Sequence, residues 1–271
     1  MGTEGMVRRV EKCRACGNNE FTDVINLGRQ YVVDFPQERD DQALSAPLVV
    51  VRCLGCHLLQ LAHSVEPDRL YKKFWYRSGI SEQMRQALDE IVRRACAAVH
   101  LDSGDRVLDI GANDGTLLEM YPNHVTTVGV DPAEELIREA GDMGRADVAV
   151  SGYFSAKAVE NYGPFKVITA VAMFYDLENP KKFLEDCRAV LHQNGVLIIQ
   201  MNYLVTMLKN VTVDNISHEH LAYYSLTSLN RLVNSVGLTI VGAEENDVNG
   251  GSSGDGFTAG STASALRSRS N

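Results

Sequence analysis

Near the middle of this chain of 271 residues, the sequence predicts a buried strand that leads into a glycine turn. The apolar side chains of Val107, Leu108 and Ile110 are typical of a central strand in a parallel sheet. Gly111 and Gly115 then allow the backbone to turn tightly and to approach a ligand, and a helix is predicted to follow. The segment lacks the G-x-G-x-x-G spacing of dinucleotide sites and the lysine of phosphate-binding loops. It therefore predicts a nucleotide-type cofactor site of another kind.

An acidic residue follows the glycine turn at the distance expected of a ribose-binding carboxylate. Val128 and Val130 belong to a second short strand, which ends in Asp131 about twenty residues after Gly111. In doubly wound sheets such a carboxylate holds the ribose hydroxyls of the ligand. The competing interpretation is an α/β domain whose glycine turn binds nothing.

Strands and helices alternate from residue 106 onward. A helix is predicted over 180–191, and the turn at Asn194-Gly195 precedes the fifth strand. This alternation predicts an α/β domain over 106–250, in which a parallel or mostly parallel sheet is covered by helices on both faces. The predicted strands are 106–110, 125–130, 147–150, 166–172, 195–201 and 238–243.

Four of the six cysteines form two C-x-x-C pairs, Cys13 with Cys16 and Cys53 with Cys56. This spacing lets two thiolates of one turn face the same tetrahedral ion, so the two pairs predict a closed structural zinc site. Disulfides are the alternative, although they are uncommon in a reducing compartment. His57 adjoins the second pair and offers a possible replacement for one thiolate. The other two cysteines are predicted to be small buried apolar residues.

The regions outside the α/β domain have different characters. Residues 1–70 contain too little apolar sequence for a core of their own, so a zinc-binding module is predicted there. Residues 71–105 are predicted to form a linking helical segment, with one amphipathic helix capped by Ser81. Residues 251–271 are rich in Gly, Ser and Ala, and they are predicted to be a disordered tail.

Charge and hydropathy exclude several classes of protein. The net charge of −9 argues against a nucleic-acid-binding protein, because phosphate contacts need a basic face. The chain has no run of 18 apolar residues and no apolar signal segment at its start, so we expect a cytoplasmic protein without membrane contact. The expected ligands are small molecules, and an anionic one would have to meet local Arg or Lys side chains.

A zinc module ahead of a glycine-turn domain is uncommon, and several motifs extend the pattern. From about residue 11 to 252 the chain resembles the nucleotide-sugar C-methyltransferase family, whose members are class I S-adenosylmethionine-dependent enzymes acting on 4-keto deoxysugars. The matching segments are Cys13-x-x-Cys16, Cys53-x-x-Cys56-His57-Leu58-Leu59-Gln60-Leu61, Tyr76-Arg77-Ser78-Gly79, the loop from Asp109 to Thr116, and Asn215-Ile216-Ser217-His218-Glu219-His220-Leu221-Ala222-Tyr223-Tyr224-Ser225.

The resemblance implies a class I Rossmann-like methyltransferase domain with S-adenosylmethionine and a structural Zn²⁺ as its cofactors. A general base would remove a proton beside the ketone of the sugar, and the resulting enolate would attack the methyl group in line. His220 is the first candidate for this base, and Glu219 is expected to be its partner or a ligand of a sugar hydroxyl. His218 completes the candidate cluster, and Tyr76 matches a family position near the reacting centre. The family's tyrosine before this triplet is Ser217 here.

The residues that would bind the methyl donor lie in three segments. Polar contacts with the acceptor are expected from Tyr175 or Asp176, where some relatives carry a histidine. Asp109 and Gly111 would contact the methionine moiety, and Asp131 the ribose. The full set of predicted donor-binding residues is Asp109, Gly111, Asn113, Asp114, Asp131, Met173 and Phe174.

Several alternatives remain open at this level. The enzyme could transfer the methyl group to a hydroxyl of a sugar or of another small molecule, or the chain could be a non-catalytic accessory protein that binds the donor. For the His-Glu-His triplet, base catalysis is one interpretation, and substrate binding or a structural role is another. A metal site is the third, because His218 and His220 would point the same way on a strand. Family members continue past the element Asn249-Gly250-Gly251-Ser252 with a strand and a further α/β domain. Two alternatives are open here, a natural short form or a sequence that has lost this domain, and another domain or a partner is expected to replace it.

Overall fold

The structure is a computed structural model, and it describes residues 6–32, 43–72, 76–246 and 261–268. Its strands are β1 Val7–Arg9, β2 Phe21–Tyr31, β3 Ser45–Cys53, β4 Leu59–Leu61, β5 His63–Val65, β6 Arg106–Ile110, β7 Thr126–Asp131, β8 Val148–Ser151, β9 Phe165–Val171, β10 Leu191–Asn202, β11 Ala222–Tyr223, β12 Leu238–Asn246 and β13 Ser261–Ser268. Its α-helices are α1 Pro67–Tyr71, α2 Glu82–Ala98, α3 Glu134–Asp142, α4 Ala156–Val159, α5 Pro180–Val190, α6 Leu204–Asn210 and α7 Leu226–Ser235.

A seven-stranded sheet forms the centre of the larger domain. Its strand order is β12-β13-β10-β9-β6-β7-β8, and β13 is the one strand that runs against its neighbours. Strand β6 lies inside the sheet, between β9 and β7, and its side chains from Val107 to Ile110 are all buried. The mostly parallel sheet predicted from the alternation is confirmed, as are all six predicted strands to within a few residues.

The amphipathic helix of the linking segment is confirmed as α2. Ser81 caps it, because its Oγ accepts a hydrogen bond from the amide of Met84 at 3.4 Å. The buried face of α2 includes Leu88, Ile91 and Ala95, which pack beside β6 and β10. None of the helices in the described part of the chain has both the length and the apolar character needed to cross a bilayer.

The helix predicted directly after the glycine turn is wrong. Only one short 3₁₀ turn, Leu118–Met120, follows the loop. Pro122 ends it, because a residue before proline avoids the helical region, and Tyr121 is extended with φ −71° and ψ 152°. The chain therefore passes from β6 to β7 through a compact loop.

The prediction of a disordered tail is wrong for Ser261–Ser268. These residues form β13, which pairs antiparallel with β10 on one side and β12 on the other. A strand inserted between two others satisfies its backbone groups on both edges. Leu266 is fully buried and anchors the strand in the core. The rest of the predicted tail, 251–260 and 269–271, lies outside the described residues.

The N-terminal region is built around a four-stranded sheet of order β11-β4-β3-β2, with a separate pair of β1 and β5. Strand β11 belongs to the larger domain, where it follows β10 and α6, and it pairs antiparallel with β4. Cys53 and Leu58 of the N-terminal region belong to the same buried cluster as Tyr224 and Leu232. The two regions therefore share one continuous apolar core and are joined by a shared sheet.

Candidate active site and metal site

A cavity of about 470 Å³ lies at the carboxyl ends of β6, β7 and β9. This is the edge where ligands bind in doubly wound sheets, and the volume is in the range of small-molecule sites. Its predicted donor-side residues are Asp109, Gly111, Asn113, Asp131 and Met173. Its opposite side includes Tyr71, Tyr76, Tyr175, Asp176, Glu219 and His220.

Asp131 is held rigidly at the end of β7. One carboxylate oxygen accepts a hydrogen bond from the amide of Asn113 at 2.8 Å, and the other accepts one from the amide of Ala133 at 2.7 Å. Burial raises the pKa of Asp131, and these two amides act in the opposite direction. Each oxygen keeps a further lone pair, so the carboxylate can accept hydrogen bonds from a diol.

Asp109 lies on the floor of the same cavity and is almost fully buried. Its carboxyl group accepts a hydrogen bond from Thr169 Oγ1 at 2.6 Å. Burial raises the pKa of Asp109 to about 7, and the nearby charge of Asp131 adds to that effect. A carboxyl with this pKa responds strongly to a positively charged ligand group.

The two glycines of the loop have different roles. Gly111 lines the cavity with φ +76°, and a Cβ atom there would lie 3.3 Å from Met173 Cγ. Gly115 also has φ +76°, but a Cβ there would lie 2.7 Å from the Cβ of Ala140 on α3. Gly111 thus keeps the cavity open, whereas Gly115 lets the loop pack against α3.

Asn113 and Asp114 hold a distant segment over the cavity. The side chain of Asn113 accepts a hydrogen bond from the amide of Ser78 at 3.0 Å and donates one to the carbonyl of Tyr76 at 2.9 Å. Asp114 accepts a hydrogen bond from the amide of Gly79 at 3.1 Å and is not among the cavity-lining residues. Sequence reasoning missed this role because the partners are 35 residues away along the chain.

The structure separates the three residues of the His-Glu-His triplet. Glu219 and His220 line the cavity, whereas His218 is buried outside it, with Nε2 3.1 Å from the carbonyl oxygen of Ala46 in β3. The expectation that His218 and His220 point the same way is wrong, because residues 217–219 form a bend and none of residues 217–220 belongs to a strand. His218 therefore ties the segment to the N-terminal sheet.

The ring of His220 is oriented by a backbone carbonyl. Its Nδ1 lies 2.7 Å from the oxygen of Asn215, and because a carbonyl only accepts hydrogen bonds, Nδ1 carries the proton and Nε2 is left as an acceptor. The side chain of Asn215 is in turn bound by Asn202 at the end of β10, at 2.9 Å. Burial lowers the pKa of His220, so its ring is neutral at pH 7.

Other contacts define the acceptor side of the cavity. The ring of Tyr175 meets His220 edge-on, with centroids 4.6 Å apart, and the hydroxyl of Tyr71 donates to the backbone oxygen of Glu219 at 3.0 Å. Burial raises the pKa of Glu219. Phe174, in contrast, is fully buried and packs edge-on against Phe183 at 5.7 Å, so it belongs to the core and does not line the cavity.

The sulfur atoms of Cys13, Cys16, Cys53 and Cys56 all lie within 4.8 Å of one another. Cys13 Sγ is 3.5 Å from Cys56 Sγ, and Cys16 Sγ is 3.6 Å from Cys53 Sγ. These separations are close to the roughly 3.8 Å between ligands of a tetrahedral zinc ion with Zn–S bonds of about 2.3 Å. The thiol of Cys56 lowers the pKa of Cys13 to about 5, while the pKa of Cys56 is raised by the same contact.

The four cysteines are the one metal-binding group found across the described ranges, and they form no disulfide. His57 is exposed and lies outside the cluster, so it is not needed as a ligand. Of the two remaining cysteines, Cys187 is fully buried and Cys96 is partly buried beside the core of α2. The donor set fits a closed structural zinc ion.

The two regions of the chain match two known protein families. Residues 80–243 match the model of the family described as "Methyltransferase domain", and residues 13–71 match the one described as "Putative zinc binding domain". The chain is 33% identical to C-methyltransferase NovU of Streptomyces niveus over 92% of its own length, but it spans only 61% of that relative. A shorter match, 32% over 35% of the chain and 40% of the relative, is to a ubiquinone biosynthesis O-methyltransferase of a Caulobacter strain.

Solved structures show the same fold at low sequence identity. An S-adenosylmethionine-dependent methyltransferase of Leishmania major superposes with a TM-score of 0.52 at 16% identity, covering 70% of this chain and 75% of that one. Magnesium protoporphyrin IX methyltransferase of Synechocystis, solved with bound S-adenosylhomocysteine, gives 0.51 at 14% identity and covers 72% and 91%. This chain therefore belongs to the methyltransferase domain family, with a class I Rossmann-like fold that carries a zinc-binding domain at its N-terminal side.

Proposed function

We propose that the protein transfers a methyl group from S-adenosylmethionine to a carbon next to the ketone of a nucleotide-linked 4-keto deoxysugar. The observation that carries the proposal is the orientation of His220. Its Nδ1–H is bound to the Asn215 carbonyl, so Nε2 is available as a base in the same cavity as Asp109 and Asp131. The C-methyltransferase named among the relatives supports the same type of chemistry.

The donor-side residues suit an adenosyl ligand. Asp131 would accept hydrogen bonds from the ribose hydroxyls, and Asp109 would face the charged methionine moiety. Met173 and Gly111 would bound the space beside the methionine moiety, and Asn113 would hold the segment with Tyr76 over the ligand. S-adenosylmethionine supplies an activated methyl group on a sulfonium, so the protein must align the acceptor and provide the base.

The acceptor-side residues provide that base in a neutral, oriented form. Neutral His220 would remove the proton beside the ketone and leave an enolate that attacks the methyl carbon. Glu219 lines the cavity next to it and would bind a sugar hydroxyl, because Asn215 already orients the ring. His218 would act indirectly, by fixing the segment on β3.

The zinc ion would be structural. Cys13, Cys16, Cys53 and Cys56 fill a tetrahedral shell, which leaves no position for a substrate. When bound, the metal would hold the two C-x-x-C turns together. Strand β4 follows the second turn and pairs with β11, which directly follows the segment with Glu219 and His220.

The test is incubation of the full chain with S-adenosylmethionine and several nucleotide-linked 4-keto deoxysugars in deuterated water. We expect deuterium uptake at the carbon beside the ketone and a new carbon-bound methyl group in the product. An acceptor reduced to the alcohol serves as the control, since it has no acidic C–H bond. Absence of both exchange and methylation across these sugars, with the donor bound, would contradict the proposal.

A second candidate is methyl transfer to oxygen. It is favoured by the shorter match to an O-methyltransferase and by Ser217, which replaces the family's tyrosine. Methylation of the ketone-free control sugar would support it. Binding of S-adenosylhomocysteine without turnover of any acceptor would support a non-catalytic accessory role instead.

The proposed acceptor and donor are small soluble metabolites, so we place the reaction in the cytoplasm, without a nucleic-acid or membrane partner. The net charge of −9 supports the absence of a nucleic-acid partner, because it disfavours binding to a phosphate backbone. Since the chain spans 61% of its C-methyltransferase relative, a further domain or a partner protein remains part of the proposal. Size-exclusion chromatography of the active species would detect such a partner.

A further inference from the structure

Asp176 carries a carboxyl oxygen that is enclosed by the protein without a hydrogen bond. No donor in the described part of the chain reaches its Oδ1. Asp176 nevertheless lines the cavity, together with Glu219 and His220. A buried polar atom without a partner costs free energy, and in native proteins such an atom points to strain, a bound water or ion, or a catalytic role.

The surroundings of Asp176 favour its protonated form. Burial raises the pKa of Asp176 well above its ordinary value, and the carboxylate of Glu219 raises it further. The other titratable groups around it are the phenols of Tyr71, Tyr175 and Tyr223 and the neutral ring of His220. None of these groups is a cation at pH 7, so none of them favours an ionised Asp176.

We propose that Asp176 is a catalytic residue whose carboxylic O–H donates a hydrogen bond to the ketone oxygen of the acceptor. This inference rests on the proposed function, because it assigns the group that meets the developing negative charge. A preorganised donor at that oxygen stabilises an enolate in a cavity with little water. A carboxylic acid is suited to this task, because an ionised carboxylate would repel the same oxygen.

Nε2 of His220 takes the proton from the carbon beside the ketone, the C–H electron pair forms the C=C bond, and the carbonyl pair moves to the oxygen bound by Asp176. The enolate carbon then bonds to the methyl carbon while the C–S bond breaks with its pair on sulfur. The C=O bond re-forms, Asp176 keeps its proton, and His220 releases the substrate proton to solvent.

The experiment compares the wild-type chain with Asp176→Asn and Asp176→Ala, and uses Glu185→Gln on the exposed face of α5 as the control. We expect Asp176→Ala to lower kcat by about 10²–10³-fold, the loss typical of a missing oxyanion donor. Asp176→Asn retains an N–H donor, so its kcat should stay within about tenfold of the wild type. Affinity for S-adenosylhomocysteine should be unchanged in both variants.

The pH profile separates this role from a purely structural one. In the wild type, kcat/KM should fall at alkaline pH as Asp176 ionises, and that fall should disappear in Asp176→Asn while the acid limb set by His220 remains. Equal losses in the Asn and Ala variants, a fully active Ala variant, or an alkaline limb that persists in Asp176→Asn would each overturn the inference.

A readout without any acceptor keeps the two proposals distinguishable. The infrared difference spectrum between the wild type and Asp176→Asn near pH 7 should contain the carbonyl band of a protonated carboxylic acid. A missing band refutes the inference about Asp176 and leaves the proposed function standing. Failure of the wild type to exchange or methylate any 4-keto sugar refutes the proposed function, whatever the spectrum shows.

Discussion

The donor side and the acceptor side of the cavity are constructed in different ways. Most of the donor side is a loop and two strand ends within 23 residues, from Asp109 to Asp131, with Met173 added after β9, and its central contact is the amide of Asn113 on Asp131. The histidine and glutamate of the acceptor side lie on the segment 217–220, which is held by contacts with Ala46, Tyr71 and Asn215. The donor site is thus mostly a local property of the chain, whereas the acceptor site depends on how two regions are joined.

The largest effect should come from the zinc site. We expect Cys53→Ala to lose bound zinc and methyl transfer and to lower the melting temperature, because zinc contributes about 10–16 kcal/mol to the folding of small zinc peptides. Metal analysis, turnover and calorimetry with S-adenosylhomocysteine provide the measurements. Because the donor loop belongs to the large sheet, Cys53→Ala should still bind S-adenosylhomocysteine although it has lost turnover. Cys96→Ala, outside the cluster, is the control. Normal turnover in zinc-free Cys53→Ala would show that the acceptor side does not depend on how the two regions are joined.

Within the acceptor segment, substitution of His220 should lower the rate, whereas substitution of His218 should lower the stability. His220→Ala should lower kcat by about 10²–10⁴-fold with little change in donor affinity, because it removes the general base. In the wild type the rate should be lost as pH falls through the pKa of His220, which burial places below 6.5. His218→Ala should instead lower stability by about 1–3 kcal/mol, because the carbonyl of Ala46 loses its partner.

Kinetics and thermal melting of both variants, with exposed His100→Ala as the control, measure this difference. An equal loss of kcat in both variants, at an unchanged melting temperature, would mean that His218 also acts at the reacting centre.

On the donor side, Asp131→Asn should weaken S-adenosylhomocysteine binding by about 30-fold, equivalent to about 2 kcal/mol of lost charge-assisted hydrogen bonding. At saturating donor, kcat should change much less, because the acceptor side is intact. Calorimetry gives the affinity, and Asp142→Asn at the exposed end of α3 is the matched control. Affinity equal to that of the wild type would exclude Asp131 from ribose binding.

The smallest predicted effect is a pH dependence of donor affinity. The pKa of Asp109 is raised to about 7 by burial, and the positively charged amino group of the ligand favours the ionised carboxylate. Affinity is therefore fully present above pH 7 and should weaken by up to about tenfold per unit as pH falls below 7. Calorimetry of the wild type and Asp109→Asn between pH 6 and 8 tests this, and a flat wild-type profile would contradict it.

Sequence patterns were sufficient for features whose geometry is set by near neighbours. The positions of β6 and β7 and the cap at Ser81 followed from local residue spacing. The four-cysteine cluster was also predicted, because two C-x-x-C pairs suit one zinc ion even though the pairs lie 37 to 43 residues apart. Phe174 was predicted to contact the donor but lies in the core. An apolar residue beside a strand end suits either a cavity wall or a core, so the sequence pattern could not distinguish the two. The donor-binding role predicted for Asp114 is not tested, but its hydrogen bond to the amide of Gly79 gives it a second task that no local pattern indicated.

The residue pattern was enough to predict a strand, a glycine turn and an acid in the right order, together with paired cysteines able to share an ion. Long-range packing was needed to establish that His220 and not His218 faces the cavity, that Asn215 orients it, and that Ser261–Ser268 completes the sheet. The two groups of features differ in the distance along the chain over which each is fixed. Backbone torsions and side-chain spacing act over a few residues, whereas hydrogen bonds such as that of His218 with Ala46 join residues 172 positions apart.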